Sequence, residues 1–85
     1  LDDKAAVAVL LTACKALKDS GASLPVDVHP LFTITEEVGS GASAALHGDI
    51  AEMVSLDIAI AAPGQGTDER AVTICLQDLS GPFDY

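Results

Sequence analysis

The sequence predicts an α/β fold, part of a mixed and partly parallel sheet with flanking helices. Short apolar runs at 31–35, 53–61 and 71–76 have the composition of buried strands. Stretches with helical character lie before and between them, at 3–19 and 42–47, and such alternation is the mark of α/β architecture. The first of these is apolar around most of its circumference. On a 100° wheel its charged residues Lys4, Lys15, Lys18 and Asp19 fall within about a third of the circle, so the helix should be covered on more than one side.

Each element has a local reason. The helix at 3–19 opens on Asp2 and Asp3, acids suited to the positive end of its dipole. It closes on Lys15 and Lys18, with Gly21 as a stop. Residues 20–25 form a loop. Val26 to Thr35 is strand-like, but Pro30 cannot donate to a ladder, so the strand proper starts near Leu31. Gly39 and Gly41 make a turn into a short helix over 42–47, ended by Gly48, with a further turn at 49–52. Met53 to Ala61 is a second strand. Pro63-Gly64-Gln65-Gly66 is a turn, Ala71 to Leu76 a third strand, and Ser80-Gly81-Pro82 a loop.

Eighty-five residues bury a modest share of their surface, yet 49% of this chain is hydrophobic and no cysteine pattern staples it. These features suggest that residues 1–85 are a piece of one larger α/β domain. The net charge of −9 disfavours nucleic acid, whose phosphates call for clustered Lys and Arg. The longest apolar run, Ala5 to Leu11, is too short for a bilayer, so no membrane partner is expected. Cys14 and Cys75 lie in apolar surroundings and look like packing residues of a reducing compartment, consistent with a cytoplasmic protein.

The chemistry concentrates in the acids. Glu36 and Glu37 follow an apolar run with no basic residue nearby, where like charges repel and resist desolvation. Asp57 interrupts a run otherwise fit for a sheet interior, and Asp2 is either a helix cap or a ligand. All four stand at or near element ends, where α/β proteins place their sites, and acids converging there need a divalent metal among them. Three other readings compete. Gly39-Ser40-Gly41-Ala42-Ser43-Ala44 matches G-x-G-x-x-A, with Asp57 eighteen residues beyond Gly39, as in a dinucleotide-binding module; Glu36 and Glu37 would crowd its pyrophosphate. An endoglucanase-type glycosidase pair would use Glu36 with Asp57 or Asp2. A structural metal-binding or non-catalytic role is the third. His29 and His47 are more often structural than zinc ligands, and Arg70 is a loop residue that could orient a carboxylate or simply face solvent.

Three blocks of sequence resemble a known family. Leu1-Asp2-Asp3-Lys4-Ala5-Ala6-Val7-Ala8, Phe32-Thr33-Ile34-Thr35-Glu36-Glu37-Val38-Gly39 and Val54-Ser55-Leu56-Asp57 are similar to consecutive blocks of the glutamyl aminopeptidases. These are the dinuclear metallo-aminopeptidases that include the tetrahedral aminopeptidases. The resemblance implies an incomplete zinc-peptidase-like catalytic domain. It implies that Asp2 bridges two divalent ions (zinc, with cobalt or manganese as alternatives), that Glu37 binds one and Asp57 the other, and that Glu36 is the general base on the shared water. It also implies a short peptide substrate and a homo-oligomeric whole protein. The family's histidine ligands and its oligomerising domain would fall outside residues 1–85, so these residues alone should be inactive.

Overall fold

The computed structural model describes residues 1–42 and 46–83. Its dominant element is helix α1, Lys4–Ser20. Ala, Leu and Lys supply most of its length, and all three are good helix formers. Asp3 is the N-cap, its side chain accepting from the Ala6 amide at 2.8 Å. Gly21 adopts φ +63 at the C-cap, and its amide donates to the Lys18 carbonyl at 3.3 Å. Lys15 pairs with Asp19 one turn on. The boundaries agree with the expected helix to within a residue at each end.

The expected strands behave differently. Residues 31–35, 53–61 and 71–75 belong to no ladder among the described residues, while the Leu76 carbonyl accepts from the Phe83 amide at 3.0 Å. The pairing that does form lies where the sequence suggested a loop. Strand β1, Gln77–Asp78, pairs antiparallel with β2, Gly81–Pro82. Asp78 makes the turn, since its Oδ1 accepts from the amides of Ser80 at 2.7 Å and Gly81 at 3.2 Å. Such Asx turns are a local property of the Asp-x-Ser-Gly sequence. Pro82 occupies an edge position, where its missing N–H costs no ladder bond.

The turns come out close to expectation. Residues 63–66 form one, with Gln65 donating to the Ala62 carbonyl at 3.0 Å and Gly64 at φ +86. Another closes from His47 to Ile50, the Ile50 amide donating at 3.2 Å. Of the short helix expected over 42–47, residues 43–45 lie outside the described residues, and residues 46 and 47 are not helical. Glu36–Val38 adds a 3-10 turn, ended by Gly39 at φ +76.

No described residue is buried. Ile34 is 97% exposed and Val72 94%, although both belong to segments of strand composition. The chain exposes 7964 Å². A compact protein of its 8.6 kDa mass exposes about 4,700 Å². The radius of gyration, 14.9 Å, likewise exceeds the roughly 12 Å of a compact 85-residue domain. Helix α1 thus forms from local bonds while its apolar sides stay in solvent. Cys75, expected to pack, is exposed and donates through Sγ to the Gln77 carbonyl at 3.2 Å; Cys14 is half-buried, and both are free thiols.

Candidate metal-binding and catalytic site

The Asp2–Asp3 pair divides its duties. Asp3 caps α1, which leaves the Asp2 carboxylate free to face another segment of the chain. That segment is the 3-10 turn carrying Glu36 and Glu37. The Glu37 carboxyl is raised above its ordinary pKa, first by the charge of Asp2 and next by a side-chain hydrogen bond with it. The charges of Glu36 and, more weakly, Asp57 push the same way, with a small contribution from burial. A carboxylate can share a hydrogen bond with another only if one holds a proton. The nearby negative charges thus favour the protonated form of the Glu37 carboxyl.

The four predicted site residues thus come from three separated stretches of chain, and the charges of Asp2, Glu36 and Asp57 raise the pKa of the Glu37 carboxyl. Their closeness has a limit. Among the described residues, no group of three or more His, Cys, Asp or Glu side chains stands close enough to hold a metal ion. Asp2 acts most strongly on Glu37, and Glu36 and Asp57 act on it through charge alone. As donors, they are hard carboxylate oxygens whose mutual repulsion a divalent cation relieves, so their chemistry fits the group that the resemblance implies.

Asp57 is exposed, and the amide of the next residue, Ile58, donates to its Oδ1 at 2.7 Å. It also borders an open cavity with Thr67, Asp68, Glu69 and Thr73. Asp68 is occupied locally, accepting from the Arg70 amide at 2.9 Å. Arg70 is exposed. His29 and His47 are exposed too, and neither joins a metal-binding group among the described residues.

Around Glu36 and Glu37 the turn is braced by residues to which the sequence reading gave no role. The Thr35 carbonyl accepts from the amides of Val38 at 3.3 Å and Ser40 at 3.2 Å. Ser40 Oγ donates to Thr35 Oγ1 at 3.0 Å. The available signal was two hydroxyl residues flanking an acid pair, which favour local side-chain bonds over regular structure. The glycines that suggested a dinucleotide loop serve this turn: Gly39 ends it, and Gly41, at φ +117, leaves beside Thr33 the space that a Cβ would fill. Ser43 and Ala44, the end of that pattern, lie outside the described residues.

Comparison with known proteins bears on the whole chain. The family described as M42 glutamyl aminopeptidase matches residues 1–85. A curated protein of Bacillus subtilis (strain 168), named "Putative aminopeptidase YhfE", is 38% identical over all 85 residues. The chain spans about a quarter of the length of that relative. No solved structure matches it.

Proposed function

The chain belongs to the M42 glutamyl aminopeptidase family, and from that premise we propose that it is part of the catalytic α/β domain of a metal-dependent aminopeptidase. The reaction is release of N-terminal residues from short peptides. The observation that supports it most is the gathering of Asp2, Glu36 and Asp57 about the raised carboxyl of Glu37. Repulsion among acids costs free energy, and a site built for cations is the reading that turns this cost to use.

In this reading Asp2, Glu37 and Asp57 would be the carboxylates that hold a pair of divalent ions, Asp2 shared between them. Zinc is the proposed metal; the same oxygen donors accept cobalt or manganese. When bound, the ions supply Lewis-acid polarisation of the scissile carbonyl and acidify the attacking water. Glu36 has no ligand duty. Its carboxylate takes a proton from the attacking water and passes it to the departing amine. Thr35, Glu36 and Glu37 are consecutive, so one 3-10 turn sets base and ligand side by side. The segments 31–35, 53–61 and 71–76 would be strands of the family's mixed sheet, paired with neighbours in the whole protein. That protein is proposed as a cytoplasmic homo-oligomer acting on peptides, with no nucleic-acid or membrane partner.

A second reading, metal binding without turnover, draws on the lack of a three-ligand group among the described residues. Glu36→Gln in the intact protein separates the two. The aminopeptidase reading predicts that kcat on an aminoacyl-4-nitroanilide falls about 10²- to 10⁴-fold while metal content is kept. Unchanged turnover would remove Glu36 from the base's role, and an intact protein with metal but no peptidase activity would favour the second reading.

A further inference from the structure

We propose that Thr35, Ser40 and Gly41 form a clasp that aims the Glu36 and Glu37 carboxylates, with Thr35 and Ser40 as positioning residues. The inference rests on the reading of Glu36 as the base. Its ground is the way residues 35–40 close on themselves. Thr35 lies immediately before the two acids and Ser40 three residues after them. Their side chains meet, Ser40 Oγ donating to Thr35 Oγ1 at 3.0 Å. Ser40 Oγ also lies 3.5 Å from the Thr35 carbonyl, which accepts from the Ser40 amide at 3.2 Å and the Val38 amide at 3.3 Å. Inside the ring the Gly39 amide donates to the Glu36 carbonyl at 2.8 Å. The backbone of both acids is therefore held at its two ends and in its middle.

Gly41 completes the clasp by letting the chain fold back on itself. A Cβ there would stand 3.0 Å from Thr33 Cβ and 3.3 Å from Thr35 Oγ1, at φ +117 where side chains are rarely tolerated. The Thr35 hydroxyl thus faces the Ser40 hydroxyl and the open side of Gly41. Three carboxylates must be directed to shared cations against their own repulsion, and a free turn would let Glu36 and Glu37 swing apart. Groups one step removed from the ligands commonly do this orienting work.

The test uses the intact protein, metal-loaded for turnover. Ser40→Ala removes one hydroxyl at an exposed position, and Thr35→Val removes the other while keeping its shape. Each single variant should weaken manganese binding to the metal-stripped protein, followed by calorimetry, and lower kcat, each about 10- to 100-fold, with KM within roughly twofold of the parent. The double variant should be no slower than the slower single, because both changes break one interaction. Thr35→Ser keeps the hydroxyl and should recover most of the loss. If Thr35→Val does not fold, Ser40→Ala with its melting curve carries the test. Parent-like turnover in Ser40→Ala, with Glu36→Gln inactive, overturns the clasp alone. Losses that multiply in the double variant overturn it as well. Full turnover in Glu36→Gln instead overturns the reading on which the clasp rests.

Discussion

In α1 the interior backbone groups pair within the helix itself, and at its ends Asp3 caps the first turn and Gly21 the last. The segments at 31–35 and 53–61 have strand composition and no ladder partner among the described residues. The difference is one of distance along the chain. A helix is specified by residues three and four apart, whereas a strand is specified by a neighbour that sequence spacing does not supply. The acids belong to the second kind. Asp2 and Glu37 are 35 positions apart, Glu37 and Asp57 twenty, so only the fold can bring them together. The self-sufficient region is structural, and the region left wanting partners carries the proposed chemistry.

Substitutions in the two regions should differ in kind. The largest effect is expected at Gly41→Ala, which adds a Cβ against Thr33 at a positive φ. Strain of this kind costs about 1–3 kcal/mol, and turnover of the intact protein should fall further than in Ser40→Ala. A Gly41→Ala enzyme with parent kcat would show that the turn has room to spare.

Asp3→Ala should cost about 1 kcal/mol through the lost cap. Its readout is the helical circular dichroism signal and the melting temperature, with metal content unchanged. If metal were lost instead, the division of roles between Asp3 and Asp2 would be wrong. Lys15→Ala should matter less still, below about 0.5 kcal/mol, because its pair with Asp19 is exposed. A melting shift larger than that of Asp3→Ala would reverse the order.

The fourth effect is a titration. The Glu37 pKa is raised, so its neutral form and the contact with Asp2 prevail at acid pH and are lost as pH rises through the raised value. Cation binding needs the carboxylate, so affinity for manganese should rise over the same interval. Asp2 is the leading cause of the shift; Asp2→Asn should lower the Glu37 midpoint followed by carbon NMR. A midpoint unmoved by Asp2→Asn would separate the two residues.

The helix, its glycine stop and the turn at 63–66 were legible because their signals are local. That Glu36 and Glu37 form an acid pair with no basic residue nearby was legible too. Three features were not. That Asp3 rather than Asp2 caps α1 depends on a backbone angle, since either acid suits the position by type. The pairing of 77–78 with 81–82 arises from Asp78 turning back on two amides, in a stretch whose Gly-Pro suggested only a loop. The Thr35–Ser40 contact spans five residues, a spacing that no helix or strand period singles out.

The central claim is that these acids gather because cations belong among them, and counting metal in the intact protein tests it most directly. Elemental analysis after dialysis should find two divalent ions per chain, fewer in Asp57→Asn and in Glu37→Gln, and still two in Asp3→Asn. A parent protein with no bound divalent ion, or with the same number in all four, would contradict it.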